Sequence, residues 1–272
     1  MFEKFLEYGI DTKGRSGDLK LTCPKCSPTR KNKSDRCLSV NTEKGLYNCH
    51  HCNWSGNVNL TKKKEYIKPV KINANVSERL VKWFGKRGIT EATVAHWKIG
   101  ESKEYFPQID KRRNAVNFNY YRKGELVNVK FRDAEKNFKM VKDAELIFYG
   151  LDNIKEMDTI YITEGEMDAL SLHEAGIYSV CSVPNGASLG NQRLDYLDNC
   201  YSYFEKKECI VLCTDNDQAG LQLRNELARR FGQHRCKYIE FGEFKDANEI
   251  LVSKGHTELR EILNNPKAFP VE

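Results

Sequence analysis

Two groups of residues in this 272-residue chain have the types and spacing to do chemistry. The first is a pair of Cys-x-x-Cys motifs, Cys23/Cys26 and Cys49/Cys52, with 22 residues between them. Each motif lies in a turn-like context of Pro, Lys, His or Asn, so both of its thiolates can face one metal. Two such turns brought together complete a closed tetrahedral all-thiolate zinc site, structural rather than catalytic. The second group is acidic. Glu164, Glu166 and Asp168 follow the apolar run TIYIT, Asp215 and Asp217 follow CIVLCT, and Asp246 lies shortly beyond CKYIEF. Carboxylates converging on one crevice repel strongly unless cations occupy it. Hard oxygen donors without His or Cys suit Mg2+ or Mn2+, usually shared with substrate phosphates, and point to phosphoryl or nucleotidyl transfer on a polyanion.

The elements around these residues decide whether they can meet. From residue 159 the chain reads strand, helix, strand, loop, strand, helix, strand, with strands over 159–163, 177–183, 209–214 and 236–241 and helices near 165–175, 218–231 and 257–264. Near-continuous apolar strands separated by amphipathic helices predict an α/β fold with a parallel sheet covered on both faces, whose ligands bind at the carboxyl ends of the strands. The acidic residues occupy those ends. Ahead of them, SERLVKWFGKRGITEATVAHWKIG predicts two short helices around Gly88, capped by Ser77 and Thr90. AVNFNYYRKGELVNVKFRD predicts a hairpin turning at Lys123-Gly124, with Lys130 and Arg132 on one face, placed to address one phosphate-bearing ligand, and Lys136 and Lys139 beyond. In the cysteine-rich segment, RCLSVN and GLYNC predict a zinc-ribbon hairpin joined by Thr42-Glu43-Lys44-Gly45. The expected organisation is an N-terminal β zinc ribbon over 1–60, a Lys-rich linker over 61–76, a small mixed α+β subdomain over 77–157, the parallel-sheet subdomain over 158–264 and a tail over 265–272.

Each feature has a plainer alternative. The cysteines could pair as disulfides, or His50 or His51 could replace one of them as ligand; Cys37 reads as packed in a strand. The cysteines at 181, 200, 209, 213 and 236 read as small buried hydrophobes. Glu166, Asp168 and Asp217 near helix starts could simply complement helix dipoles, and Lys25, Arg30, Lys31, Lys33 and Arg36 could be a solvated face. With Tyr47 and Trp54 as exposed aromatics, the same basic group suits single-stranded nucleic acid. A helix-turn-helix reader at 77–100 is disfavoured because its large apolar residues look like core. DNDQAG approaches an EF-hand loop, but a strand precedes it where that motif needs a helix.

Composition narrows the class. A hydrophobic content of 40% excludes a disordered chain. No apolar run approaches the roughly 20 residues of a membrane span, and no signal-peptide pattern opens the chain, so a soluble cytoplasmic protein is expected. Charge is polarised: residues 1–75 carry 15 basic and 7 acidic side chains, and residues 151–272 carry 13 and 21. The distribution separates a polyanion-binding half from an acidic metal-binding half.

ITEGEMDAL, SVPNGA, CTDNDQAG and KDANEIL, in this order, resemble the Toprim domain of DnaG-type primases and topoisomerases. With the four-cysteine ribbon and VKFRDAEKNF ahead, nearly the whole chain resembles the primase half of bacteriophage and Twinkle-like primase-helicases. The resemblance implies a DNA primase that makes short RNA primers from ribonucleoside triphosphates on a single-stranded DNA template. It implies that Glu164, Asp215 and Asp217 hold two Mg2+ or Mn2+ ions, that Glu166, Asp168 and Asp246 complete the acidic crevice, and that Lys130 and Lys136 contact nucleotide or primer phosphates, with Arg132 beside them. The ribbon would read a short template sequence. Expected partners are a replicative helicase and a DNA polymerase, in a bacterial or phage-infected host cytoplasm, with no membrane. The sequence departs from primase-helicases in lacking a G-x-x-x-x-G-K-[ST] loop, so either a stand-alone primase or one separated from its motor is expected. Rival readings are a zinc-Toprim DNA-binding protein of the RecR type and a Toprim nuclease. A topoisomerase would need a further tyrosine-bearing domain.

Overall fold

Polar turns between short apolar runs fold the N-terminal part of the chain into an antiparallel ribbon. The structure is a computed structural model that describes residues 2–58, 65–69, 75–188 and 194–270; most of the linker predicted over 61–76 lies outside them. It divides into two compact units, Met1–Glu65 and Tyr66–Glu272. In the first, helix α1 (Phe2–Glu7) precedes strands β1 (Asp18–Leu21), β2 (Leu38–Asn41), β3 (Leu46–Cys49) and β4 (Ser55–Asn57), paired antiparallel in chain order. The predicted hairpin is β2–β3, with Leu38 opposite Cys49. Strands β1 and β4 escaped sequence reading because DLKL and SGN are too short and polar to show a period. Tyr47 corrects an expectation: it is buried, against Trp54 at 4.5 Å and Tyr8 at 5.7 Å between ring centroids.

The second unit opens with α2 (Glu78–Gly85) and α3 (Glu91–His96). Both predicted caps form: the Ser77 hydroxyl accepts from Leu80 N and the Thr90 hydroxyl from Thr93 N. Leu80, Phe84, Val94 and Trp97 enter the core, which removes the helix-turn-helix alternative. Four antiparallel strands follow, β5 (Gly100–Phe106), β6 (Lys111–Arg122), β7 (Glu125–Arg132) and β8 (Phe138–Met140). At the β6–β7 turn Lys123 and Gly124 both take positive φ, 52° and 76°, as a two-residue hairpin with right-handed strand twist requires. The Asp152 carboxylate locks this turn by accepting from both amides, at 2.6 and 2.8 Å. In the β6–β7 register Lys130 lies opposite Phe118 and Arg132 opposite Val116. Phe118, Val116 and Tyr120 belong to the main core, so the two cations share the sheet face turned towards the rest of the unit.

The remaining elements are β9 (Thr159–Thr163), α4 (Glu166–Glu174), β10 (Val180–Ser182), α5 (Asp195–Phe204), β11 (Cys209–Cys213), α6 (Gln218–Phe231), β12 (Cys236–Tyr238), α7 (Ala247–Lys254), α8 (His256–Leu263) and β13 (Lys267–Ala268). The sheet order is β10-β9-β11-β12-β13, parallel except for the two-residue β13 at one edge. This is the α/β architecture expected. Helix α5 was missed and stands where a loop was read, because its buried face consists of Tyr196, Leu197, Cys200 and Phe204 amid polar residues. The short α7 was also missed, although Ala247, Ile250 and Leu251 bury its inner face.

The entry into β9 depends on a largely buried lysine. Lys207 Nζ donates to the carbonyls of Ile154, Lys155 and Met157 at 2.6, 2.9 and 2.6 Å, satisfying three acceptors in the turn before the strand. Lys207→Met should therefore destabilise the protein by about 1–3 kcal/mol, the cost of leaving buried acceptors unpaired. Denaturant unfolding of the two proteins checks this; equal midpoints would contradict it.

Candidate active site and metal centre

The parallel strands β9 and β11 end side by side, Cys213 opposite Thr163, so the residues that follow enter one crevice. Glu164 follows β9. Its Oε1 accepts from Ala187 N at 3.0 Å and its Oε2 from Asp215 N at 3.3 Å. Burial first, then the Asp215 charge, pushes the Glu164 carboxyl up to about 7. Asp168, one turn into α4, is buried, and Asn248 N donates to it at 3.2 Å. Its burial, then Asp246 and Asp215, drives its carboxyl well above the usual range. Asp215 is also raised, by burial and then by Asp246, while Lys245 opposes the shift.

Glycines make room for this packing. A Cβ on Gly220, in the first turn of α6, would lie 2.2 Å from the Asp215 carbonyl oxygen, and one on Gly165 would lie 2.9 Å from Asp168 Oδ2. The glycine of DNDQAG thus serves close backbone approach, not calcium.

Glu164, Glu166, Asp168, Asp215 and Lys130 line one cleft of about 400 Å³, together with Lys139, Phe138, Pro184 and the Asn185-Gly186 loop. Asp217 and Asp246 stand at its margin as helix caps: the Asp217 side chain accepts from Gly220 N and that of Asp246 from Glu249 N. Both still act on the cleft, since each raises the proton affinity of Asp215. Glu166 lines the acidic cleft, and its oxygens are also engaged from the antiparallel sheet. It is buried, receives Lys130 Nζ at 2.8 and 3.1 Å and accepts from the Tyr120 hydroxyl at 2.5 Å. Pro184 O takes a further Lys130 hydrogen bond at 2.9 Å. Glu166 therefore holds Lys130 in place, with Tyr120 bonded to the same carboxylate.

Arg132 lines a neighbouring cavity of about 260 Å³ with Trp83, Arg79 and Asn114, so Lys130 and Arg132, though on one strand face, serve adjacent pockets. The Arg87 and Arg132 guanidinium carbons stand 3.8 and 5.1 Å from the Trp83 ring centroid. Arg132 is held below its ordinary pKa by burial and by the Arg87 charge, against the opposite pull of Glu166 and Asp133, and its Nε has no partner among the described residues. Glu101 and Asp133 line the same cavity, so its charge is mixed, with Arg87 reaching it only through the shared Trp83 ring. Lys136 does not join either cavity: it is exposed on the β7–β8 turn, at φ 64°. Lys139 borders the cleft but turns its ammonium to the other sheet face, paired with Glu104 at 2.8 Å and 4.9 Å from the Phe131 ring centroid.

Sequence reasoning missed Trp83, Arg87 and Lys245. The last stands between carboxylates, its Nζ 3.3 Å from Asp215 and 3.7 Å from Asp217. An ammonium drawn into an acidic pair marks a place where positive charge is favoured, although the oxygens of Glu164, Asp215 and Asp217 are not drawn together within 4.8 Å as the four thiols are. The Lys immediately before Asp246 in KDANEIL was the available signal.

In the first unit Cys23, Cys26, Cys49 and Cys52 bring their Sγ atoms within 4.8 Å of one another. Cys23–Cys52 and Cys26–Cys49 are 3.8 and 3.7 Å apart. The edge of a tetrahedron with Zn–S bonds of about 2.3 Å is about 3.8 Å, so the four thiols fit zinc. His50 Nε2 pairs with Ser39 Oγ at 2.7 Å and is not one of the four ligands. Disulfides are absent; all ten cysteines are free.

A family profile described as Toprim-like matches residues 161–251. The chain is 30% identical over 305 residues to the "Primase homolog protein" of Arabidopsis thaliana, covering 100% of this chain and 89% of that protein. The chain belongs to the Toprim primase family. It is also 29% identical over 307 residues to the Arabidopsis "Twinkle homolog protein, chloroplastic/mitochondrial", across 98% of this chain but 42% of that longer protein. The crystal structure of the primase fragment of the bacteriophage T7 primase-helicase protein superposes with a TM-score of 0.55 at 24% identity, covering 90% of this chain and 99% of the fragment, and shows the same fold. Within this primase-family fold the cleft is not of one sign: its acids and Lys130 face the same space.

Two outcomes follow from its electrostatics. Glu164 titrates near 4.5 in an unfolded chain and near 7 when folded, so the metal-free protein binds an extra proton between those values. Its stability should fall as pH rises through that window, and Asp168 and Asp215 act in the same direction. Thermal melts in chelator across mildly acidic to mildly alkaline buffer should show the slope, with Glu164→Gln flattening it. Separately, Lys245→Met should tighten Mn2+ binding by roughly two- to fivefold, the weight of an exposed ion pair removed from competition. Weaker binding, read by calorimetry or Mn2+ resonance, would mean that Lys245 supports the site instead.

Proposed function

We propose that this chain is a DNA primase: on single-stranded DNA it joins ribonucleoside triphosphates into short RNA primers during DNA replication. The observation that carries this reading is the single cleft in which Glu164, Asp168 and Asp215 share their space with Lys130. Its volume suits a nucleotide, and its two walls match the two charges of the reaction, cations at the acids and phosphates at Lys130. Glu164, Asp215 and Asp217 would hold Mg2+ or Mn2+, which when bound supplies the positive charge that activates a 3'-hydroxyl and stabilises departing pyrophosphate. Lys130, fixed by Glu166, Tyr120 and the Pro184 carbonyl, presents its remaining charge to the nucleotide phosphates from a set position. Arg132 and Arg87 on Trp83 hold a further phosphate of primer or template. Lys136, exposed near the same strands, adds only electrostatic attraction for the strand.

The zinc ribbon reads the template. Lys31, Lys33 and Arg36 are exposed, and Lys25 Nζ sits 5.1 Å from the Trp54 ring centroid, a combination that binds phosphates while offering an aromatic face to a base. Strand opening and primer extension would come from a replicative helicase and a DNA polymerase. Among the described residues no helix is long and apolar enough to cross a membrane, in keeping with work on replicating DNA in a bacterial or phage-infected cytoplasm.

Incubation with single-stranded templates, labelled ribonucleotides and Mg2+ should yield short oligoribonucleotides. Asp215→Asn should abolish them, and Lys130→Met should raise the KM for the incoming nucleotide by roughly tenfold to a hundredfold, the value of a charge-assisted contact. Shortened template would identify a nuclease, and retention of template without product a binding protein; either result overturns the proposal. Cys49→Ser should release zinc and impair initiation on template more than extension of a supplied primer, whereas equal loss of both would deny the ribbon its separate role.

A further inference from the structure

Five thiols, not four, meet in the ribbon. Cys37 lies just before β2, and its Sγ is 3.9 Å from that of Cys26 and 3.7 Å from that of Cys49. The latter spacing equals the 3.7 Å between Cys26 and Cys49 themselves. A closed tetrahedral site uses four sulfurs. Cys37 is thus left as a thiol touching two of the ligands. It is half-buried, more accessible than Cys23, Cys26 and Cys49 though less so than the exposed Cys52, and as the one thiol outside the four-ligand set it can react without first leaving the metal. The backbone already holds Cys37 and Cys49 together: Leu38, the next residue, pairs with Cys49 in the β2–β3 ladder, and His50 N donates to the Cys37 carbonyl at 2.9 Å. Here the sequence expectation is corrected, because Cys37 precedes the strand and faces the metal ligands; it is not merely strand packing.

We propose that Cys37 is an oxidation site coupled to the zinc centre, at which a peroxide-class oxidant leads to a Cys37–Cys49 disulfide and release of the metal. In the first step the Cys37 sulfur attacks the peroxide O–O bond. The thiol is oxidised by two electrons to a sulfenic acid, and the peroxide is reduced to water. In the second step the Cys49 sulfur attacks the sulfenic sulfur; an S–S bond forms, the S–O bond breaks and the oxygen leaves as water after taking a proton. The sulfurs close from 3.7 Å to the disulfide length of about 2.05 Å. Cys49 is then no longer a thiolate ligand, three remain, and zinc is lost. A thiol reductant reverses the bond. The proposal depends on zinc binding by the four-cysteine set and not on primer synthesis.

The test treats the zinc-loaded full chain with hydrogen peroxide, follows released zinc with a chromogenic chelator, and maps disulfides by mass spectrometry after alkylation. Expected are zinc release, a linked peptide pair containing Cys37 and Cys49, and recovery of bound zinc on reduction and readdition. Cys37→Ser and Cys37→Ala should hold zinc in reducing buffer and release it several-fold more slowly under peroxide. Release as fast as in the unaltered protein overturns the proposal. So does a disulfide in the unaltered protein that lacks Cys37, a readout that stands even if both variants lose zinc on their own.

Discussion

Mutual repulsion among carboxylates gathered at one edge of a parallel sheet is the constraint around which this molecule is arranged. Parallel strands end at a common edge, so residues that are distant in sequence arrive there together. Burial strengthens their repulsion, and Glu164, Asp168 and Asp215 all hold protons more tightly than free carboxyls do. The surrounding loops answer with fixed donors. The amides of Ala187 and Asp215 serve Glu164, the amide of Asn248 serves Asp168, and the starts of α6 and α7 receive Asp217 and Asp246. Lys245 adds the one mobile charge that approaches Asp215 and Asp217 among the described residues. These partners hold the crevice in shape while protons and the Lys245 ammonium offset its charge, so a bound cation would take their place at carboxyls already held in position.

The antiparallel sheet brings the opposing charge. Register places Lys130 on the face that also carries Tyr120, and both reach Glu166. A buried ion pair of this kind contributes little net stability, since desolvation offsets much of the attraction. Its effect is positional: an otherwise flexible ammonium is held at the cleft. Arg132 and Arg87 form no ion pair among the described residues and share the Trp83 ring, while Asp133 and Glu166 act on Arg132 only through their charge. The contrast separates a lysine bonded directly to a carboxylate from a guanidinium pair that is not.

The ribbon has another problem. Its core is a handful of side chains, chiefly Phe5, Ile10, Leu38, Val40, Tyr47 and Val58 around the cysteines, too little apolar surface to order a unit of this size with comfort. A metal closing four thiols into one site compensates, because the binding energy becomes folding energy. The same dependence makes any chemistry at a ligand sulfur a change in the stability of the unit.

Strand periodicity, cap residues and the Cys-x-x-Cys spacing are local properties, and they were legible in the chain alone: the β2–β3 and β6–β7 hairpins, the caps at Ser77 and Thr90, the four thiols and the acidic strand ends. What was illegible depended on distance in sequence. Nothing near Glu166 indicates that Tyr120 and Lys130 will occupy its oxygens, nothing near Cys37 indicates that its sulfur will face Cys49, and Lys136 and Lys139 are equivalent until the β7–β8 turn sends one outward and lays the other over Phe131 beside Glu104. Helix α5 was hidden for a related reason, since Tyr and Cys count as core only once there is a core to receive them. The types of chemistry this protein can host were thus determined by its residues, whereas which residue performs, positions or merely neighbours that chemistry was decided by tertiary packing, because hydrogen bonds and charge act over a few ångströms of space regardless of their separation along the chain.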